Sequence, residues 1–106
     1  MISFEEFKKV EMKVGTVKKV SEIPGSKKLL KLEVDLGGET KQAVAGIKGF
    51  YEKEKLEGNQ FVFVTNLRPA KLMGELSEVM ILAAEKDGEI VLIKPEKYIQ
   101  SGARIA

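Results

Sequence analysis

The sequence predicts a small all-β barrel, and three observations indicate this fold class. Short segments that are apolar, or that alternate between apolar and polar residues, recur along the whole chain. Turns containing glycine or proline separate these segments roughly every ten residues, as in small sandwiches and barrels. Only one or two helical turns interrupt this pattern. With 106 residues the chain has room for one hydrophobic core, so we expect a single domain over residues 1–106.

The N-terminus predicts a short helix followed by a long strand. Ser3 and Glu6 have the spacing of a capping box, in which each side chain bonds to the backbone N–H of the other residue. We therefore expect a helix over residues 4–9. A strand follows over residues 10–20, and Gly15 interrupts its alternation, which predicts a bulge or bend at that position.

The next segments predict a hairpin and a helical insert. Pro24 and Gly25 form a turn, after which residues 29–36 alternate cleanly between apolar and polar side chains. The pair Gly37–Gly38 closes a hairpin into residues 40–45. The polar stretch GFYEKEKLEGN that follows contains helix formers, so it favours a single helical turn.

The second half of the chain predicts further strands. Residues 61–65 are apolar on both faces of a strand, which indicates a central, buried position, and Pro69 ends this segment. Residues 80–84 form another short buried strand, and Asp87–Gly88 supplies a hairpin turn into residues 90–93. A last short extended segment closes the chain.

The length and the helical insert between the third and fourth strands are typical of one barrel type. Five-stranded Greek-key barrels of the OB type have this size and carry a helix at this place. We therefore expect a five-stranded OB-fold barrel with a short N-terminal helix and a C-terminal extension.

The composition disfavours a catalytic role. The chain contains no cysteine and no histidine, which removes disulfides, thiolate zinc sites and every Ser-His or Cys-His arrangement. The acid pair Glu33 and Asp35 lies among lysines on a polar strand face, where surface charge pairing explains it. We expect a protein that is not an enzyme and that has neither a cofactor nor a metal site.

The charges are distributed unevenly. Residues 8–31 hold eight lysines and two acids, a local balance of +6, whereas residues 32–106 hold ten bases and twelve acids. One interpretation is that lysines on exposed strands keep the protein soluble and protect sheet edges. The other is that this part of the chain meets an anionic partner.

Two features bear on localisation. The N-terminus carries acids where a secretory signal would have a basic end and an apolar centre. The longest wholly apolar run, residues 80–84, is far shorter than the roughly 20 residues that a membrane span needs. We expect a cytoplasmic protein without a membrane partner.

The stretch FVFVTNLRPAKLMG, residues 61–74, contains no acid and joins a buried strand to polar residues. A buried strand that runs into a proline turn would hold Asn66, Arg68 and Lys71 at a fixed barrel rim. Asparagine can read a base edge, and arginine and lysine can neutralise phosphates. A plain loop with solvated basic side chains is the alternative interpretation.

Ser77 and Met80 stand just ahead of the next apolar run. Met80 is either a core residue or a flexible apolar surface for an unstacked base, with the Ser77 hydroxyl bonding beside it. The chain has few aromatic residues and no exposed aromatic pair on a strand is apparent, so stacking of many bases is poorly supported. Recognition by shape and phosphate fits better.

Several stretches together resemble one family. They are FKKVEMKVGTV, EIPGSKKLLKLEVDLGG, AVAGIKGFY, LEGNQFVFVTNLRPAKLMGELSEVMILAAE and IKPEKYIQSGARI. The chain resembles the tRNA-binding OB domain that is appended to methionyl- and tyrosyl-tRNA synthetases, ends the endothelial-monocyte-activating polypeptide, and also occurs as a small stand-alone protein. Carried over position by position, the resemblance implies tRNA-facing roles for Lys28, Asn66, Arg68, Lys71, Ser77 and Met80.

The resemblance also implies an assembly and an alternative function. Stand-alone members are homodimers joined through the chain ends, here residues 1–9 and 95–106, and bind tRNA by its overall shape. The chain would then assist a methionyl-tRNA synthetase in trans. Lys27 stands where the family has an acid, and Ala45 where it has serine. The pair Glu78–Val79 is more similar to export-associated chaperones of the same fold, which implies a peptide-binding dimer as the alternative.

Overall fold

The structure is a computed structural model that describes residues 1–106. The chain forms two four-residue helices and nine strands. Five of the strands make up a nearly closed antiparallel barrel and the other four form two hairpins, which confirms the predicted fold class. Neither helix is long and apolar enough to cross a lipid bilayer. The elements are α1 (Phe4–Phe7), β1 (Met12–Glu22), β2 (Leu30–Asp35), β3 (Thr40–Ala45), α2 (Lys53–Leu56), β4 (Gln60–Val64), β5 (Ala70–Leu72), β6 (Glu75–Ser77), β7 (Met80–Ile81), β8 (Ala83–Lys86) and β9 (Glu89–Leu92).

The long strand β1 belongs to both halves of the barrel. Its first residues, 12–16, pair with β4, and from Thr16 onward it pairs with β2. The strand order in the main sheet is β3-β2-β1-β4-β7, and all pairs are antiparallel. The sheet nearly closes where the backbone N–H of Glu78 donates to the carbonyl of Gln42 on β3, at 2.8 Å.

The barrel interior is filled by the apolar residues that the alternation predicted. The inward residues of the second predicted strand, Leu30, Leu32, Val34 and Leu36, are all buried. Every residue of β4 is buried, which confirms that this strand is central. The strands therefore form a stiff scaffold for the segments that leave their ends.

Both helices agree with their sequence signals. In α1 the Ser3 hydroxyl accepts from the Glu6 backbone N–H at 3.1 Å, and the Glu6 carboxylate accepts from the Ser3 backbone N–H at 3.2 Å. This capping box confirms the predicted start, although the helix ends at Phe7 and not at residue 9. Helix α2 lies between β3 and β4, as expected, and Leu56 anchors it in the core.

The predicted bulge at Gly15 was wrong, because Gly15 pairs in register with Phe61. The register of β1 shifts between Val17 and Lys19. Gly15 serves close packing, since a Cβ there would come within 2.5 Å of the Val34 side chain.

The C-terminal residues form an additional strand-like segment along β1. Gly102 donates to the carbonyl of Val14 at 2.8 Å, the N–H of Val14 donates to Ala103 at 2.9 Å, and Ile105 donates to Met12 at 2.9 Å. The buried Gln60 side chain bonds both backbone groups of Ile99. The C-terminal extension is therefore fixed to the barrel.

Two features after β4 differ from the predictions. The short hairpin of β5 and β6 was not predicted, because three-residue strands show too little alternation to detect. The predicted strand over residues 80–84 is divided into β7 and β8 at Leu82. Leu82 donates its N–H to the carbonyl of Val62 and accepts from Ile93, so it links two sheets.

Candidate nucleic-acid interface

Residues 66–80, here called the rim segment, carry five of the six predicted site residues. The segment leaves the barrel after β4 and returns in β7, where Met80 lies opposite Val64. Between them the β5–β6 hairpin places Ala70 opposite Ser77. Because Cα atoms of directly paired antiparallel residues lie about 4.5–5.5 Å apart, the rim segment is a compact unit at one end of β4.

Lys28 comes from a different element, the turn between β1 and β2. The Ser26 hydroxyl accepts from the backbone N–H groups of Lys28 and Leu29, at 3.3 and 2.9 Å, and so fixes the turn. Met73, at the tip of the β5–β6 hairpin, lies beside this turn: a Cβ at Gly25 would be 3.7 Å from the Met73 Cε. The fold thus brings the turn that carries Lys28 next to the rim segment.

The Asn66 side chain bonds within the chain. Its Oδ1 accepts from the backbone N–H of Glu11 at 2.9 Å, and its Nδ2 donates to the carbonyl of Lys9 at 2.7 Å. Thr65 donates its N–H to the carbonyl of Glu11. Asn66 therefore fastens the linker between α1 and β1 to the end of β4.

Ser77 also bonds within the chain. Its hydroxyl accepts from the buried backbone N–H of Val44 on β3 at 3.0 Å and donates to the carbonyl of Val79 at 3.1 Å. The adjacent Glu78 carboxylate accepts from the backbone N–H of Gln42 at 3.0 Å. These side chains satisfy edge groups of β3 and close the barrel beside the hairpin, a function that sequence reasoning did not identify.

Met80 is exposed, although its neighbour Ile81 is buried. This placement disfavours the core-packing interpretation of Met80. Further apolar side chains of the rim segment are exposed as well, and together with Met80 we call them the apolar rim residues. They are Leu67, Leu72, Met73, Leu76 and Met80. Leu72 and Leu76 lie on opposite faces of the hairpin, because Leu72 pairs with Glu75 and Leu76 pairs with Lys71.

Four basic side chains of the rim segment and the Lys28 turn have no acidic partner. Arg68 and Lys71 are exposed and no carboxylate lies within 4.0 Å of them, and the same holds for Lys27 and Lys28 in the turn. The acids of the rim segment are engaged elsewhere. Glu75 pairs with Lys31 at 3.4 Å, and Glu78 accepts the bond from β3 described above.

Two carboxylates near the rim segment and the Lys28 turn have lowered pKa values. A hydrogen bond from Thr65 at 2.5 Å and the nearby Lys13 charge lower the pKa of Glu11. The hydrogen bond and the charge of Lys48 lower the pKa of Glu22. Both carboxylates are therefore ionised at neutral pH. Lys13 offsets the charge of Glu11, and Lys48 offsets the charge of Glu22. Glu22 does not neutralise Lys27 or Lys28.

The geometry indicates an anion-binding edge. Cationic side chains on fixed backbone, with apolar side chains among them, can contact phosphates and an unstacked base. The structure shows no group of three or more carboxylates close enough to hold a metal ion.

Comparison with known proteins gives the family. A family model described as "Putative tRNA binding domain" matches residues 12–104. The methionine–tRNA ligase of Archaeoglobus fulgidus is 49% identical over 104 residues, which are 98% of this chain and 16% of the ligase. The ligase of Methanococcus aeolicus is 50% identical over 105 residues, 99% of this chain and 16% of the ligase. The chain thus spans about one sixth of the length of these relatives.

Solved structures are similar over the whole chain. A MetRS-related protein from Pyrococcus horikoshii superposes with a TM-score of 0.95 at 42% identity, covering 100% of this chain and 98% of that one. The chaperone CsaA of Bacillus anthracis superposes with a TM-score of 0.90 at 34% identity, covering 100% and 99%. The family is a binding domain, which confirms the expectation of a non-catalytic module. The chain belongs to the tRNA-binding domain family.

Proposed function

We propose that this protein binds tRNA through the rim segment and the turn that carries Lys28. The observation that supports this most directly is electrostatic. Arg68, Lys71, Lys27 and Lys28 are exposed without acidic partners, while both acids of the rim segment are engaged by β2 and β3. A polyanion is therefore attracted to these four cationic side chains, and Lys31 offsets the negative charge of Glu75 beside them.

The six predicted residues divide into two kinds in this proposal. Lys28, Arg68 and Lys71 neutralise phosphates, and the exposed Met80 offers an apolar surface to an unstacked base or sugar. Asn66 and Ser77 have their hydrogen-bonding groups engaged by backbone, so they act by holding the rim segment in place.

Salt dependence tests the proposal. If about four to six phosphates are neutralised, the logarithm of the affinity for bulk tRNA falls with the logarithm of salt concentration at a slope of about −3 to −5. Filter binding over a salt series measures this slope. A slope near zero would exclude phosphate contacts as the basis of binding.

A matched pair of variants locates the interface. Replacing Arg68 and Lys71 by alanine should weaken tRNA binding by about tenfold or more and make the salt slope shallower by about 2. The control variant replaces Lys55 on α2 and Lys86 on β8 by alanine. Both lysines are also exposed and unpaired, so the two variants have the same net charge. Equal losses in the two variants would mean that binding depends on overall charge and not on the rim segment.

We also propose that the 106 residues act as a single-domain homodimer in the cytoplasm. Helix α1 buries none of its residues, and Met1, Ile2, Phe4 and Phe7 are exposed apolar side chains. A groove of about 230 Å³ runs between this helix and the C-terminal residue Ile105. A second copy of the chain would cover this apolar surface. Replacing Phe4 and Phe7 by serine should then convert a dimer to a monomer in sedimentation equilibrium, whereas a wild-type monomer would contradict the proposal.

The comparisons also support a proposal about a synthetase partner. The relatives are methionine–tRNA ligases in which the matching part is about one sixth of the length. We propose that the chain supplies this tRNA-binding part in trans. Adding it to a methionyl-tRNA synthetase that lacks such a domain should lower the KM for tRNA, and the variant at Arg68 and Lys71 should not.

Peptide binding is the second candidate, because the similar CsaA structure is named a chaperone. The exposed apolar rim residues are the side chains that a peptide would contact. It predicts weak salt dependence and competition by a denatured polypeptide for the same site. Competition of tRNA binding by reduced, denatured protein at two salt concentrations distinguishes the candidates: tRNA binding that is salt-sensitive and unaffected by polypeptide excludes a shared peptide site.

A further inference from the structure

Met73 has a backbone conformation that its side chain disfavours. Its φ is 49°, and Asp87 is the only other non-glycine residue with a positive φ. Glycine, asparagine and aspartate adopt this region readily, but a long side chain such as methionine rarely does. The Met73 side chain is 56% exposed, so core burial does not account for its presence. Residues held in such conformations are concentrated at functional sites, which makes Met73 a candidate for a binding role.

The Met73 side chain forms one wall of a groove. Its terminal methyl lies beside Gly25, and the groove between them has a volume of about 480 Å³. Leu29 adds apolar surface, and the two lysines of the turn stand at its edge. The lining residues are Gly25, Ser26, Lys27, Lys28, Leu29 and Met73.

The groove combines an apolar wall with unpaired positive charge. No carboxylate lies within 4.0 Å of Lys27 or Lys28. A nucleobase has two apolar faces and is flanked by two phosphates, so it matches this arrangement. The methionine thioether is polarisable and contacts aromatic rings favourably. The turn itself is fixed by Ser26 and by the bond from the Lys48 N–H to the Lys28 carbonyl at 3.0 Å, so the lysines are held close to the groove.

We infer that this groove takes one unpaired nucleobase of the bound RNA against Met73, with Lys27 and Lys28 on the flanking phosphates. The inference rests on the proposed tRNA binding and adds a base-contact site to it. A base within a regular duplex stays stacked on its neighbours and does not enter the groove.

Two substitutions at Met73 test the contact. Met73→Gly removes the apolar wall and suits the positive φ, whereas Met73→Leu keeps an apolar side chain. Affinities are measured at low salt for bulk tRNA and for a blunt RNA duplex. Met73→Gly should weaken tRNA binding by about twofold to tenfold, Met73→Leu should stay within about twofold of wild type, and duplex binding should not change.

The outcomes are distinguishable. Failure of the wild-type protein to bind tRNA would overturn the proposed function, whereas wild-type affinity in Met73→Gly would overturn only the base contact. Equal losses for tRNA and duplex would show that Met73 positions the lysine turn, which also overturns the base contact. Asp87→Gly at the other hairpin is the matched control and should leave the affinity for tRNA within about twofold of wild type. If Met73→Gly folds poorly by thermal unfolding, Met73→Asn replaces it, since asparagine tolerates the same φ.

Discussion

The β5–β6 and β8–β9 hairpins share a turn geometry but not the residues that make it. Their two-residue turns have φ values of 49° and 81° at Met73–Gly74, and of 51° and 81° at Asp87–Gly88. Asp-Gly is a preferred pair for such a turn, whereas Met-Gly places a long side chain in a costly conformation. The turn of the hairpin beside the candidate interface therefore has an unfavoured residue, Met73, where the other hairpin has the favoured residue Asp87.

The two hairpins also attach to the barrel differently. Each uses one hydroxyl that accepts from a backbone N–H: Ser77 from Val44 at 3.0 Å, and Tyr51 from Leu92 at 2.9 Å. The β5–β6 hairpin is held further by Gln42, which donates to the carbonyl of Leu76 at 2.8 Å. Polar bonds therefore fix this hairpin while its apolar side chains stay exposed, which is what a binding surface requires.

Removal of the Ser77 hydroxyl should have the largest effect on stability. Ser77→Ala removes two hydrogen bonds, one from the buried Val44 N–H and one to the Val79 carbonyl, and should lower the free energy of unfolding by about 2 kcal/mol. Urea denaturation measures the change. Tyr51→Phe, the matched control at the other hairpin, removes one such bond, from the N–H of the buried Leu92, and should lower the free energy of unfolding by about 1 kcal/mol. A smaller loss for Ser77→Ala than for Tyr51→Phe would contradict its role in closing the barrel.

Asn66→Ala should release the linker between α1 and β1. Two bonds to backbone disappear, so the backbone N–H of Glu11 should exchange faster with deuterium and the free energy of unfolding should fall by about 1 kcal/mol. Asn59→Ala is the control, because the Asn59 side chain makes one bond, from its Nδ2 to the carbonyl of Lys55 at 2.8 Å. Unchanged exchange at Glu11 together with weaker tRNA binding would instead support direct reading of a base by Asn66.

Exchanging the turn residues should shift stability in opposite directions. Met73→Asn relieves the strained φ and should raise the free energy of unfolding by about 1 kcal/mol, whereas Asp87→Met should lower it by about 1 kcal/mol. Thermal unfolding detects shifts of roughly 4–8 °C per kcal/mol in a domain of this size. Destabilisation by Met73→Asn would show that the contact between Met73 and the Gly25 turn outweighs the strain.

The smallest expected effect is a pH dependence at Glu11, which bonds to Thr65 just before the rim segment. The pKa of Glu11 in the folded protein lies below its ordinary value of 4.5. The stabilisation from its bonds to Thr65 and Lys13 is therefore complete above that value and is lost as pH falls through the folded pKa. Glu11→Gln should flatten the stability profile below pH 4.5, measured by urea titrations, with Glu22→Gln as a comparison that leaves the rim segment intact. An unchanged profile in Glu11→Gln would contradict the coupling.

Periodicity and turn chemistry were sufficient for most of the barrel. Residues 29–36 alternate between apolar and polar side chains, and residues 61–64 are all apolar. Successive side chains of a strand point to opposite faces, so these patterns show directly which faces are buried. The hairpin turn at Asp87–Gly88 was also predictable locally, because Asp-Gly is a preferred pair in two-residue turns. The β5–β6 hairpin was not detected because its strands are short and its turn carries Met73, a residue that turn chemistry does not favour.

The candidate site was predicted only in part. The exposure of Arg68 and Lys71 follows from an acid-free stretch after a buried strand, and the structure agrees with it. The pairing of Glu75 with Lys31, which offsets one of the two acidic charges of the rim segment, joins two residues 44 apart in sequence. No local pattern contains that information.

The sequence by itself determined the barrel, its core and the cationic character of the rim, because alternation, turn residues and composition are local properties. Only the tertiary structure decided which polar side chains of the rim are free to meet a ligand. Asn66 finds its partners 55 and 57 residues away, and Ser77 finds the Val44 N–H 33 residues away. A hydrogen bond between distant segments exists only once the chain has folded, so these side chains are positioned for internal bonding by the fold and not by their motif.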